Sequence, residues 1–489
     1  MLVALCSIVT AAPGQQPLRS DTLVLSLPEL VAIALRQNID LRSAALGPQF
    51  ATADLLSARG IFDPLLTVGS EFASRANDVM GVSPRATQQS AASTAFLGTT
   101  LATGSALALS VRHSRVSSDP FLLTSTQPFA TSNASGLGLS LVQPLLRGRG
   151  RAGTYGYVDA ATISVAAARS RYERSADATV AVVERGYWAL RQAESNETVV
   201  QQSVAAARAI LDRNVALRVR DVSTALDVLT SERGLATRET QLLEATRQRV
   251  DAAERLLFLV YGEEARGDVL LKAANAHTTS DTVVVPVIPQ LGDAEAAAMV
   301  QRGDVVAATL DVDAGRRRTD QARSQRRPRL DLIAAYAYGG TAPTTSFLSY
   351  NQSGDLRNSS LSVGLGTSLF QRNDAAEGVD QRAEAALESA RFARAATLSA
   401  VRADVRAAVR ALDTERGRYL RARDVVRLAE QEYAAAREGS RLALITTFQL
   451  LQYEEQLAQA RLLISQARFA LEDAGTLYRF AVAERRGAR

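Results

Sequence analysis

Gly148, Gly150 and Gly153 stand at G-x-G-x-x-G spacing in "QPLLRGRGRAGTYGYVDAA" (143–161), between a strand-like and a helix-like stretch. That spacing marks a turn that lays a pyrophosphate on a helix N-terminus, and Glu173, twenty residues past Gly153, stands where a ribose-binding carboxylate is expected. A dinucleotide site also needs a parallel strand returning within about thirty residues. None follows here, because the helical pattern runs on. The strand before the motif alternates and carries Pro144, which a central strand rejects. The motif reads instead as a strand–helix hinge of Pro144, Gly148, Gly150 and Gly153, with Arg147, Arg149 and Arg151 able to snorkel at a polar boundary.

Other chemistry is sparse. Cys6 is the sole cysteine, so no disulfide framework or Cys-based metal site is available. The two histidines, His113 and His277, lie far apart in polar contexts and read as loop residues. There is no Walker A sequence, and no catalytic, cofactor-binding or metal-ligating set stands out, so the chain does not read as an enzyme. Net charge is +5 over 489 residues, small for a nucleic-acid binder. Lys272 is the only lysine among 56 basic residues, a skew of base composition, since arginine occurs in every segment. The densest cluster, Arg316 to Arg318 with Arg323, Arg326, Arg327 and Arg329, reads as a solvated helix face.

Residues 1–14, "MLVALCSIVTAAPG", resemble the apolar and cleavage regions of a signal peptide without its basic start. No later stretch holds eighteen uninterrupted apolar residues, so any membrane crossing must be made by strands.

The chain holds two copies of one plan. "IALRQNIDLRSAAL" (33–46) matches "AAMVQRGDVVAATL" (297–310), and "DPLLTVGSEF" (63–72) matches "RPRLDLIAAY" (327–336), each strand beginning at a proline. "SLVQPLLRGR" (140–149) corresponds to "GTSLFQRND" (366–374), and "DVSTALDVLTSE" (221–232) to "ALITTFQLLQYE" (443–454), pairing Leu226 with Phe448 and Glu232 with Glu454. Repeats over 26–260 and 291–482 are expected, joined by 261–290 and followed by a tail at 483–489. Each reads helix, strands, long helix, break, helix, with strands at about 64–146 and 329–370 and breaks near 218–224 and 440–447.

The long helices carry heptad-like seams: Ala176, Val180, Val183, Tyr187 and Leu190; Leu398, Val401, Val405, Ala408 and Leu412. A proline-free run from 156 to 218 reaches roughly 90 Å as a helix, too long for a compact domain. The strands alternate. Leu107, Leu109 and Val111, then Leu137, Leu139 and Leu141, then Leu330 to Tyr338 in steps of two, oppose small or polar residues. A membrane barrel has this pattern, and so does a soluble sandwich. Ser/Thr/Asn-rich stretches at 73–92, 114–133 and 341–358 read as exposed loops.

These series together resemble the TolC-like outer-membrane efflux family. "LSLPELVAIALRQNIDLRSA" (25–44), the paired "FDPLLTV" and "RPRLDLI", "LSLVQPLLRGRGRAG" (139–153), "TALDVLTSERGLATRETQLLEA" (224–245) and "FQLLQYEEQLAQARLLISQARFAL" (448–471) carry the likeness across residues 26 to 482. The resemblance implies an α+β membrane protein, internally duplicated and homotrimeric: a transmembrane β-barrel continuous with a long α-helical coiled-coil periplasmic tunnel. It implies an outer-membrane exit duct for an inner-membrane pump and periplasmic adaptor, without cofactors. The helix–helix turns would form the closing tip, at Arg218, Arg220, Asp221, Ser223, Thr224 and Asp227 in one repeat and Arg441, Thr446, Thr447 and Gln449 in the other. Asp221 and Ala443 replace the family's usual glycine, and Gln449 its usual acid. Arg218, Arg220, Asp221 and Asp227 either ring the aperture or are ordinary solvated charges. A coiled-coil envelope scaffold without transport is the competing reading.

One departure is topological. About eighty residues separate Pro64 from Leu145, against about forty between Pro328 and Leu369. An added hairpin is predicted, with strands near 93–101 and 104–113 joined by "LATG", or else a folded loop. The hairpin would give four strands in the first half and two in the second, and eighteen in a trimer against the family's usual twelve.

Overall fold

The computed structural model describes residues 21–79, 82–118, 130–220, 223–262, 269–274, 286–342, 358–369, 372–442 and 444–484. The signal-peptide segment with Cys6, together with Asp221, His277, Ala443, most of 261–290 and residues 485–489, lies outside these.

The first half comprises β1 (Asp21–Leu25), α1 (Leu27–Gln37), α2 (Ile39–Ala44), α3 (Leu46–Arg59), β2 (Leu65–Val79), β3 (Val82–Thr100), β4 (Ala106–Ser118), β5 (Ala130–Pro144), α4 (Gly150–Arg218) and α5 (Ala225–Tyr261). The second comprises β6 (Val269–Ala273), α6 (Leu291–Gln301), α7 (Gly303–Gln325), β7 (Arg329–Ala342), β8 (Ser359–Ser368), α8 (Asp374–Arg441) and α9 (Thr447–Val482). Two compact units result, one of Met1–Ala45, Tyr172–Gly303 and Leu398–Arg489, the other of Leu46–Arg171 and Asp304–Thr397.

The first unit is built on helix seams. Leu27, Leu30 and Ala34 of α1 pack with Val183, Tyr187 and Leu190 of α4 and Ala253, Leu256 and Val260 of α5. The α1 start is fixed by a capping box, Ser26 N–H donating to the Glu29 carboxylate at 2.7 Å. In a second cluster Leu412, Tyr419 and Ala422 of α8 meet Ala467, Leu471 and Ala474 of α9. The alanines let the helices approach closely while the large residues fill the seam. β1 pairs in parallel with β6, a contact with no forewarning in the sequence pattern.

The second unit holds one antiparallel sheet in the order β2-β3-β4-β5-β7-β8. Its register lines up one apolar row from edge to edge: Leu66, Leu97, Leu109, Leu139, Tyr336 and Leu361. The opposite face carries mostly small residues, as in the row Gly98, Ala108, Ser140, Ala335 and Ser362, which Leu65 completes on β2, with Phe96 beside Ser110 in the next row.

Two expectations need correction. Of the stretches expected as loops, 73–92 is strand at all its described residues, since β2 runs to Val79 and β3 starts at Val82, and 114–133 is strand at 114–118 and 130–133, where β4 ends and β5 begins, its middle lying outside the described residues. The hairpin strands are accordingly longer than 93–101 and 104–113. Polar side chains pair across the ladder at the border of the first stretch, Ser70 with Ser93 at 3.0 Å, and within the second, Ser117 with Thr131 at 3.4 Å, which needs no apolar alternation. The third such stretch, 341–358, lies almost wholly outside the described residues. Second, His113 is a strand residue of β4, its Nδ1 2.9 Å from Ser135 Oγ. The arginines of the 316–329 cluster are all exposed, in keeping with a solvated face, and two of them also make ion pairs: Arg323 bonds Glu384 and Arg326 bonds the buried Asp380, each at 2.8 Å.

Candidate functional site

The glycine motif is a joint between β5 and α4, and its glycines are required for two reasons. Gly148 and Gly150 adopt φ of +73° and +71°, the left-handed region that a side chain disfavours. Gly153 is needed for space, since a Cβ there would stand 2.6 Å from the Gly148 carbonyl carbon. Thr154 Oγ1 donates to Gly148 O at 3.0 Å, Gly148 N–H donates to Ser324 Oγ at 3.3 Å, and Arg147 Nε donates to Arg327 O at 2.9 Å. Pro144 closes β5 two residues beyond Val142, the last to pair with β4, so its missing N–H costs no bond on that side. β5 has antiparallel neighbours on both sides and α4 continues for 69 residues, so the βαβ unit of a dinucleotide site is not formed. Arg151 pairs with Asp159 at 2.7 Å, and Arg147 is tied as above, so two of the three arginines are engaged within the chain.

The second cluster is the pair of helix–helix turns, and the two are built alike. Thr224 caps α5: its Oγ1 accepts from Asp227 N–H at 3.1 Å, and its own N–H donates to Asp227 Oδ2 at 3.0 Å. Thr446 caps α9 in the same way, accepting from Gln449 N–H at 3.2 Å and donating its N–H to Gln449 Oε1 at 2.9 Å. Each box satisfies backbone donors that a helix start leaves unpaired. The Asp227 carboxyl is held below its ordinary range by the Thr224 hydroxyl, then by the Thr224 N–H, with a smaller contribution from the Thr447 hydroxyl; slight burial opposes them. Arg218 reaches Ser223 O at 3.2 Å, so of the four expected tip charges, Arg218 and Asp227 are bound to their own turn. Arg220 is exposed, and Arg441 lies 3.5 Å from Glu438 on an exposed helix end.

The two turns are cross-tied. Asn214 Nδ2 donates to Ser231 Oγ at 2.7 Å and to Thr447 Oγ1 at 3.4 Å, and Arg213 donates to Ser440 O at 2.8 Å. Ile445 packs on Ile210, Ala436, Leu450 and Leu451 beneath them. The outer surface is apolar: Val219, Leu226, Leu444 and Phe448 are all at least 60% exposed. A polar knot joins three helices behind this end. Glu454 of α9 binds Arg238 of α5 at 2.6 Å and accepts from Ser203 of α4 at 2.6 Å, all three residues being buried. The sequence reading missed Arg238 and Ser203, because their partner is far away in the chain.

No protein-family model and no curated protein sequence matches the chain. Solved structures do. The outer-membrane channel OprN superposes with a TM-score of 0.65 at 17% identity, over 93% of this chain and 89% of that one. The CmeC outer-membrane channel of Campylobacter jejuni gives 0.61 at 14% identity over 98% and 93%. The open state of the Neisseria gonorrhoeae MtrE outer-membrane channel gives 0.62 at 14% identity over 98% of both chains. From end to end, this chain has the TolC-like fold of those outer-membrane channels.

Proposed function

We propose that the chain is an outer-membrane exit duct of a tripartite efflux or type I secretion system. It works as a homotrimer that passively passes substrates delivered by an inner-membrane pump through a periplasmic adaptor. The observation that carries this reading is the sheet: one continuous apolar row faces one way and mostly small residues face the other, with β2 and β8 as its edges among the described residues. A six-stranded sheet is too small to close on itself around a channel, whereas copies joined edge to edge remove every edge. The apolar face then meets lipid in the outer membrane and the small-residue face meets water. In this reading the repeats 26–260 and 291–482 each supply strands to the wall and a helical hairpin to a periplasmic tunnel.

The turns at Arg218, Arg220, Asp221, Ser223, Thr224 and Asp227 and at Arg441, Thr446, Thr447 and Gln449 form the tip. The exposed Val219, Leu226, Leu444 and Phe448 suit contact with an adaptor. Pro144, Gly148, Gly150 and Gly153 turn each chain from wall to tunnel. Conduction needs no catalytic group and no cofactor from this chain.

Single-channel recording of the detergent-purified trimer in a planar bilayer tests the reading. Small, steady openings that grow when Asp227 and Arg220 are replaced by Ala are expected. A folded trimer that stays silent even with both turns deleted is a scaffold, and the duct reading then fails.

A further inference from the structure

The duplication is interrupted at one place in the sheet. β2 and β5 correspond to β7 and β8, since both pairs begin at a proline and end at the joint to a long helix. β7 pairs directly with β8, whereas β3 and β4 stand between β2 and β5. This inserted hairpin is neither a plug nor a folded surface loop. Its Leu97 and Leu109 continue the same apolar row that runs from Leu66 to Leu361, and its Gly98 and Ala108 continue the small-residue row behind it. Its lower turn is made by Gly104 at φ +86°, where a Cβ would stand 2.5 Å from Thr154 Oγ1, and by Ser105, which is buried and bonded to Gln143 of β5. The hairpin is wall.

Resting on the trimeric duct reading, we propose that three copies close these sheets into one barrel of eighteen strands, six from each chain, whose bore admits cargo of macromolecular width. The even strand number makes the closure possible. β2 and β8 run in opposite directions, so β8 of one copy meets β2 of the next in the antiparallel sense used throughout the sheet. With ~4.8 Å between strands and a tilt of ~40°, eighteen strands enclose about 35 Å between backbones, against about 24 Å for twelve. Inward residues are mostly small, Leu65, Phe96 and Ile333 being large apolar exceptions, so that much of that width stays open. The wall is therefore no size filter for single small solutes, and the cargo it suits is a polymer, such as a polypeptide passing in loops or partly folded.

Cysteine labelling of the full-length trimer in liposomes tests this. In a Cys6→Ala background, Ser110→Cys on the inserted hairpin and Ser360→Cys on β8 share one row of the small-residue face. Both are expected to react with a small polar maleimide. Both should also react with a maleimide bearing a poly(ethylene glycol) coil of roughly 20 Å, which fits the wider cylinder but not the narrower once side chains are added. Leu109→Cys on the apolar face should react with neither. Removing residues 80–118 joins β2 to β5 as β7 joins β8, and Ser360→Cys should then lose the polymer reaction and keep the small one. Small reagent without polymer at both positions, or polymer at Ser360→Cys alone, overturns the wide barrel while the duct stands. Neither reagent at either position, in a trimer shown to be folded, removes the duct reading as well.

Discussion

The two repeats make the same contacts with different side chains. At the end of α1, Asn38 donates to the Leu259 carbonyl of α5 at 2.8 Å; at the end of α6, Arg302 donates to the Ala481 carbonyl of α9 at 3.4 Å. These are corresponding positions, and the backbone arrangement is preserved although an amide has become a guanidinium. The second repeat then uses the added charge, since Arg302 also reaches Asp404 at 3.2 Å. Leu30 and Ala34 likewise become Ala294 and Ala298, all four buried. A packing geometry can thus survive while the chemistry at each point drifts, provided every carbonyl and every buried face still finds a partner.

The largest expected asymmetry lies at Glu232 and Glu454. They are equivalent by sequence, yet Glu232 is exposed and Glu454 is buried against Arg238 and Ser203. Glu454→Ala leaves a buried guanidinium unpaired and should cost about 3–5 kcal/mol. Glu232→Ala should stay within about 0.5 kcal/mol. Chemical unfolding of the detergent-solubilised protein, followed by circular dichroism, checks both. Replacing the pair together, Arg238→Met with Glu454→Leu, should recover most of the loss, because no lone charge remains. Equal effects at Glu232 and Glu454 would break the comparison.

The caps should behave as a matched pair. Thr224→Ala and Thr446→Ala each remove the acceptor for one N–H at a helix start, at a cost of about 1 kcal/mol. Hydrogen exchange should speed up in the first turn of α5 in one variant and of α9 in the other, and Thr→Ser at either site should restore protection. A response at only one turn would mean that the cross-ties from Asn214 and Thr447, rather than the boxes, hold that end together.

How much of this was legible follows from what each feature depends on. The sheet's two faces were readable because Leu107, Leu109 and Val111 alternate within one strand. Strand ends at 73–79 and 82–92 were not, because polar residues look alike in a loop and in a ladder held by backbone bonds. The extra hairpin showed as surplus length between Pro64 and Leu145, but its bounds did not. The glycine spacing was visible in the chain, while the reason for Gly153, a close approach to Gly148, exists only in three dimensions. The Arg238–Glu454 pair spans 216 residues and aligns with an exposed glutamate in the other repeat, so no local pattern could mark it.

The smallest effect is the most specific to the comparison. The two caps share a geometry, but Asp227 titrates and Gln449 does not. The Asp227 pKa is lowered in the folded state, chiefly by the Thr224 hydroxyl. Its contribution is therefore complete above the unfolded carboxyl value of about 3.9 and is lost as pH falls through the lower folded value. Spin labels at the exposed positions Leu226 and Phe448 report each turn separately. On acidification into that window the Leu226 label should gain mobility before the Phe448 label does, because protonation weakens acceptance from the Thr224 N–H and hydroxyl while the Gln449 amide is unchanged. Asp227→Asn should remove the difference, and Gln449→Glu should transfer a similar acid sensitivity to the second turn. If both labels loosen together in the parent protein, the turns open as one unit through the Asn214 and Thr447 ties, and the divergence in cap chemistry has no separate consequence.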